Sequence, residues 1–439
     1  MSPALLLTLA MHGQLATWTG YVDSRTQGAW TQFDGAPHLT ELVEGNVQVK
    51  LIPHEKVKFF ADTSLFWQGA WAIQGGGDVP ANYRPTFVAS ELYADLPLQE
   101  NFRLLVGKKR IVWGPGMSFN PTDVLNPAKD PTDPTSQRAG AWLAEAEWGF
   151  EKAALSFVGA GKVTQAYSGL PTALIKDPND GSLHYAFAAR LYLLLADIDI
   201  NLVYAFTNLY NDAFEHKSKW GATLSRVIYG GLELHGEVLF YTGSSRLHVN
   251  ADCITQIEVC TILGTPIITR PDVDATYVNA FALGGVRYQF ENNAILSAEY
   301  YFNGEGQDPD GFRNLARMVV RYPTQAQAAL SGSVDPGSPQ KFALSALRKH
   351  YLVLQASVPQ IADDWTLSGT IIAGLEDLSM QIVPQVQWMP LEWLQLTASA
   401  YIPFAGLKDE GARVLGKDYG QFTISPFQTR LLLQARAYF

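Results

Sequence analysis

The sequence predicts an all-β protein: a single closed, antiparallel transmembrane β-barrel of about 18 strands, with 16 as the fallback count. Three observations lead there. Long segments alternate apolar and polar residues with period two. The links between them are in turn very short and long. The composition is poor in charge and rich in aromatics.

Composition narrows the class first. The 439 residues carry 32 Lys+Arg against 42 Asp+Glu, a net charge of −10, and 17% are charged, against roughly 25% in an average soluble domain. An acidic chain is a poor general binder of nucleic acid, so no nucleic-acid partner is expected. No run of about 18 uncharged apolar residues is present, which argues against a helical membrane span. With 11 Trp, 19 Tyr and 22 Phe, the chain is too aromatic to be disordered.

Residues 1–16, with the apolar run Ala4 to Ala10, have the form of a signal peptide ending in small residues, although the first basic residue is Arg25. They are expected to be removed on export, leaving 17–439 as a single barrel domain.

The alternation is clearest at the C-terminus. Phe427, Thr429, Leu431, Leu433, Ala435, Ala437 and Phe439 share one face, and Gln428, Arg430, Leu432, Gln434, Arg436 and Tyr438 the other. A long strand with two unlike faces has two unlike solvents. Strands of soluble proteins usually run about 5–6 residues, those that cross a membrane about 9–11. The same pattern places strands at 17–27, 39–52, 55–69, 85–97, 102–113, 139–150, 152–163, 182–196, 198–209, 216–229, 231–244, 273–290, 293–305, 341–358, 364–376, 378–389, 392–405 and 423–439.

Links after the even-numbered strands are short. Those after most odd-numbered strands are long: 70–84, 114–138, 164–181, 245–272, 306–340 and 406–422, with 376–378 as the exception. Short periplasmic turns, long extracellular loops and aromatic girdles make the outer-membrane barrel pattern. It puts both termini at the short-turn rim and the protein in the outer membrane of a Gram-negative bacterium. Cys253 and Cys260 fall in one long loop. Two cysteines so close in an oxidising compartment are expected to form a disulfide.

About 18 strands enclose a lumen wide enough for water or a plug. The polar parity would line it with Glu44, Asp62, Glu91, Asp95, Glu145, Glu147, Glu233, Glu237 and Glu299 against Lys50, Lys58, Lys108, Arg110, Arg190, Arg287, Arg430 and Arg436. Strands four, five and six then offer acid (Glu91, Asp95), base (Lys108, Arg110) and acid (Glu145, Glu147). Such a row either guides charged solutes or makes cross-strand pairs that hold the wall. Loop 114–138 carries Pro115, Pro121, Pro127, Pro131 and Pro134, which keep it from adding a strand. It either folds inward as a constriction, with Trp113, Asn120, Asp123, Asn126, Asp130 and Asp133, or caps the rim. The spacing of its Asp residues matches no Ca²⁺ loop.

Glu233-x-His235-x-Glu237 puts three polar side chains on one strand face, about 6–7 Å apart, which is wide for one metal ion. His184, His235, Ser225 and Asp62 are scattered over strands and form no triad, and GxSxG and HExxH are absent. No enzyme activity, metal or cofactor is expected. Gly284-Gly285 reads as a strand bend.

The terminal Phe439 resembles the aromatic end residue of the assembly signal of Gram-negative outer-membrane β-barrels, with Ala437 where a second aromatic often stands. Val106-Gly107-Lys108-Lys109-Arg110-Ile111-Val112-Trp113-Gly114, then Phe119-Asn120-Pro121-Thr122-Asp123 and Leu125-Asn126-Pro127, are similar to the basic strand and "NPxD" loop of alginate-export-like and porin-like barrels. The barrel reading and this resemblance imply a channel for polar or anionic solutes. The alternative is a plugged assembly barrel in a secretion, motility or electron-conduit complex. Expected partners are outer-membrane lipids, the barrel assembly machinery, and a homo-oligomer or a secretion/export complex.

Overall fold

A computed structural model gives the architecture. It describes residues 9–439 except 12–13, 32–36, 55–56, 75–76, 79–83, 127–130, 132–139, 162, 166–170, 175–184, 208–216, 244–247, 256–258, 261, 263–267, 270–277, 322–346, 407–412, 415–416, 419 and 425–426.

Eighteen strands make one sheet. They are β1 Gln14–Thr31, β2 Pro37–His54, β3 Val57–Gln74, β4 Arg84–Gln99, β5 Phe102–Lys109, β6 Ala141–Phe150, β7 Ala153–Gly161, β8 Tyr185–Leu195 and β9 Ile198–Thr207. Then follow β10 Lys217–Tyr229, β11 Leu232–Thr242, β12 Val278–Gln289, β13 Ile295–Asn303, β14 His350–Ile361, β15 Trp365–Gly374, β16 Met380–Leu391, β17 Leu394–Phe404 and β18 Phe427–Tyr438. Every consecutive pair is antiparallel. β18 pairs with β1 and closes the ring. Two short pieces extend the sheet: Leu9–Met11 pairs with the start of β1 and Gly77–Asp78 with the end of β3. Residues 1–8 of the expected signal segment lie outside the described residues.

Closure matters because an open edge would leave backbone groups unpaired in hydrocarbon. The seam is tied at its end by the last residue. Phe439 and Gly20 exchange both main-chain hydrogen bonds at 3.0 Å. The Phe439 ring fills the space a Gly20 side chain would need and lies 5.8 Å from the Trp18 ring.

The two faces differ as the alternation requires. On β18, Leu433 is 61% exposed on the outside while Arg430 on the other parity is 6% exposed. Outward aromatics form two belts. Phe150, Tyr229, Trp365, Trp388, Trp393 and Phe439 ring the short-turn rim, and Trp30, Trp67, Trp220, Phe240, Tyr300 and Phe404 ring the loop end. Amphipathic rings favour the level of the lipid headgroups, so the outer face is that of a membrane-spanning wall.

Several strands depart from the sequence reading: β14 begins only at His350 and β18 at Phe427, and two further departures bear on the lumen. β5 ends at Lys109, short of 113, because the Arg110 N–H is taken by Glu91 Oε1 at 3.0 Å and not by a strand. β1 is 18 residues long, reaching past both expected ends. The short link after β15 closes tightly: Gly374 N–H donates to Ser379 O at 2.8 Å and Ser379 N–H to Asp377 Oδ1 at 2.9 Å.

Beyond the loop end, helix α1 (Ala251–Thr255) holds Cys253, which is disulfide-bonded to Cys260 with a Cα–Cα distance of 5.7 Å. Helix α2 (Pro309–Arg321) begins with Gly311 N–H donating to Asp308 Oδ1 at 2.7 Å, an N-cap. Its face of Phe312, Leu315, Ala316 and Met318 packs on Ile424, Val249 and Leu347, so three long loops cohere over one sector of the barrel mouth.

Candidate pore constriction

The segment after β5 turns into the barrel. Gly107 adopts φ 137°, and a side chain there would strike the main chain of Leu92 and Tyr93; only glycine allows this close approach. From Arg110 to Asn126 the chain braces itself. Asn126 Nδ2 donates to Ile111 O at 2.6 Å, and Thr122 Oγ1 lies 3.0 Å from Trp113 O.

Two wall carboxylates hold this segment. Glu237 on β11 accepts Gly116 N–H at 2.6 Å, Thr122 N–H at 3.1 Å and approaches Thr122 Oγ1 at 2.8 Å. With its amide nitrogen turned to the wall, Asn120 adds a contact to Glu237 Oε2 at 3.0 Å. Glu299 on β13 accepts Met117 N–H at 2.7 Å and Ser118 N–H at 2.8 Å. Consecutive main-chain N–H groups converging on a carboxylate form an anion nest, and charge-assisted bonds are the strong ones. A segment that leaves β5 and bonds to β11 and β13 runs along the inside of the ring.

His235 completes the latch. Its Nε2 is 3.0 Å from Glu299 Oε1, although the two residues stand on β11 and β13 with β12 between them. Both are in register with Gly285 on β12, and a Cβ there would strike the imidazole and Glu299. The missing side chain opens the path for the ring. Gly285 therefore serves a close side-chain approach, which the bend expected from the sequence does not explain. Glu233 lies 3.7 Å from His235 Nδ1 and also binds Arg287. Glu233-x-His235-x-Glu237 is thus engaged by the wall and the loop, and among the described residues no cluster could hold a metal ion.

The inner wall under the loop is apolar. Ile111, Trp113, Val124 and Leu125 pack on Leu105, Leu143, Val158, Val203, Leu239 and on Ala141, Ala160, Ala186, Ala188 and Ala205. The alanines leave room for the loop to lie flat. Phe119 stacks on Tyr301 at 4.2 Å. There a second inward segment meets it: Phe422 packs with Tyr301, Tyr351, Val353 and Ile372. Gln421 binds the Tyr351 hydroxyl, and its N–H donates to Asp377 Oδ2 at 3.3 Å. Arg348, buried, holds the same corner through Glu376 at 3.2 Å.

This apolar patch explains a parity difference. On β5 the inward residues are Arg103, Leu105, Gly107 and Lys109, with Val106 exposed outside. Lys108, expected in the lumen, stands in register with Leu92 and Trp142 but is buried, at 4% exposure, so it does not share the outer face with Val106. Arg103 takes the basic place between the acids, 3.7 Å from Asp95, 3.9 Å from Glu147 and 4.0 Å from Glu145. Lys109 lies over the Tyr93 ring at 4.8 Å. Arg190 meets Glu147 at 3.2 Å and lies 5.9 Å from the Trp113 ring. Asp123 accepts from Asn126 Nδ2 at 2.5 Å; Asp130 and Asp133 lie outside the described residues.

On the other side of the ring, the inner face of β18, β1, β2 and β3 presents Arg430, Arg436, Arg25, Lys50 and Lys58 against Asp23, Glu44 and Asp62. Asp23 is shared by Arg25 at 2.5 Å and Arg436 at 3.5 Å, and Arg25 also reaches Glu44 at 2.9 Å. Arg436 and Arg430 lie over the rings of Tyr21 and Tyr401 at 4.4 and 4.3 Å. The alternation marked Arg430 and Arg436, but Asp23 and Arg25, although inside the expected strand 17–27, were not assigned to the lumen.

No protein-family model and no curated protein matches this chain. Solved structures do. Pseudomonas aeruginosa OpdQ superposes with a TM-score of 0.52 at 9% identity, covering 96% of this chain and 98% of that one. Pseudomonas aeruginosa OccK7 (OpdD) superposes with a TM-score of 0.50 at 11% identity, covering 97% and 99%. At such identities the likeness speaks for the fold, and the chain has the closed 18-stranded barrel fold of outer-membrane porins.

Proposed function

We propose that the protein is a porin-like channel in the outer membrane of a Gram-negative bacterium, and that it admits polar, preferentially anionic solutes by diffusion. One observation carries this reading. On the loop-bearing wall Glu237 and Glu299 are occupied by main-chain N–H groups and Glu145, Glu147 and Glu233 by Arg103, Arg190 and Arg287, whereas the facing arc from β18 to β3 holds five bases against three acids. A solute passing between the loop and this arc meets net positive charge in a confined, low-dielectric space, where charge selects strongly. Segment 110–126 sets the narrowest section.

The outer apolar belt fits contact with outer-membrane lipid, delivery by the barrel assembly machinery fits the closed sheet, and homo-oligomers are in keeping with the fold. The test is conductance in planar bilayers. Purified protein should give discrete steps in KCl. Electrical silence together with a stoichiometric co-purifying partner would favour an assembly barrel instead.

A further inference from the structure

Resting on the channel reading, we infer that the solute is a polyhydroxylated acid of the sugar-acid class, read by two different walls at once. Strands β14, β15, β16 and β17 contain no Asp, Glu, Lys or Arg. Their one histidine, His350, bonds to the Tyr300 hydroxyl on the outward parity. Four adjacent strands without an ionic group are not an apolar wall, however. Toward the short-turn rim their inward positions carry hydroxyls and primary amides, while Val353, Ile372 and Val383 are buried nearer the loop end.

The register lines these groups up. Ser357, Ser368, Gln385 and Ser399 stand side by side across the four strands. One step nearer the short-turn rim, Thr366, Gln387 and Thr397 continue into Gln434 and then Arg25. Ser357, Thr366, Ser368, Gln385 and Gln387 are half-buried, so each keeps surface toward the lumen. The inward loops cover the other end of this arc, where Phe422 packs on Tyr351 and Ile372.

A hydroxyl or amide both donates and accepts, so a row of them can pair with sugar hydroxyls in any rotation as the solute slides. A charged row would instead bind water or counter-ions, and an apolar row would favour unsubstituted acids. The neutral arc ends where Arg430, Arg436 and Arg25 begin. A carboxylate held at that boundary leaves its hydroxylated body against the rows of Ser, Thr and Gln.

The test compares gluconate with hexanoate, monoanions of equal carbon count with and without hydroxyls, as blockers of single-channel KCl current. Gluconate blockades should last about tenfold longer, the effect of one or two net hydrogen bonds. Gln385→Leu with Gln387→Leu should abolish that difference and leave the KCl reversal potential unchanged. Ser368→Ala with Ser399→Ala should reduce it in a milder background. Heat-modifiable mobility on gels checks that each variant is folded. Equal dwell times in the wild type, or a gluconate preference that survives the leucine variant, would overturn the inference. Sorbitol flux into liposomes tests the wall without charge. If KCl recordings show no anion preference yet sorbitol flux depends on Gln385 and Gln387, the anionic reading fails while the neutral wall stands.

Discussion

Glu237 accepts the Gly116 N–H at 2.6 Å across 121 residues of sequence, and in doing so joins the strand β11 wall to the inward segment 110–126. Glu299 repeats the device on Met117 and Ser118. The segment is held chiefly by main-chain donors, with the Thr122 hydroxyl and the Asn120 amide beside them, so the two wall carboxylates matter more to the anchor than any one loop side chain.

The Glu237→Gln, Glu299→Gln double variant should therefore loosen the loop without opening the barrel. Hydrogen bonds to a charged group are each worth about 1.5–3 kcal/mol, and an amide keeps one acceptor oxygen, so part of the anchoring remains. Single-channel recordings should show higher conductance and more open-state noise. Unchanged traces would show that apolar packing alone sets the loop.

Gly285→Ala should mimic His235→Ala. The added methyl occupies the space through which the imidazole reaches Glu299. A cycle of the two singles and the double should give a coupling energy of roughly 0.5–3 kcal/mol in detergent unfolding. Additive effects would show that the ring and the glycine act separately.

Trp113→Ala removes the largest side chain packed between loop and wall. A loss of about 3–5 kcal/mol is expected for emptying so buried a site. The backbone ladder is untouched, so the barrel should still migrate as folded on unheated gels while 110–126 becomes open to proteolysis. Resistance equal to the wild type would contradict the packing described for Trp113.

Gly20→Val should slow or prevent closure, because its branched side chain would meet the Phe439 ring and the Asn46 carbonyl. Heat-modifiable mobility should fall sharply, and deletion of Phe439 should act in the same direction. A Gly20→Val protein that assembles normally would show that the seam tolerates displacement of the terminal ring.

Much of this fold was legible because a barrel wall writes its two solvents into every strand. Leu431 and Leu433 against Arg430 and Arg436 give the lipid and lumen faces directly, and the alternation of short and long links gives the count. At β5 the rule that polar residues face the lumen does not hold throughout, because a loop covers the wall: Leu105 turns inward beneath Trp113, and Arg103, which the sequence reading did not single out, meets Asp95, Glu145 and Glu147. The latch could not be read either. Period two puts Glu237 on an inner face but does not name a main-chain partner in a distant loop, and Gly285 leaves no mark except the absence of a side chain between His235 and Glu299. The neutral arc was not read from the sequence, because the expected spans 341–358, 364–376 and 392–405 include Lys341, Arg348, Lys349, Asp364, Glu376 and Glu392; the observed strands exclude them, and the arc's place beside Arg25 depends on the closing pairing of β18 with β1.

The central claim is a channel whose selectivity comes from the basic arc facing a loop-covered wall. The reversal potential of single channels in a KCl gradient tests it most directly. The account predicts an anion-selective potential in the wild type that moves toward the cation side in Arg25→Glu and Arg436→Glu. A cation-selective wild type, or a potential that these substitutions leave in place, would contradict it.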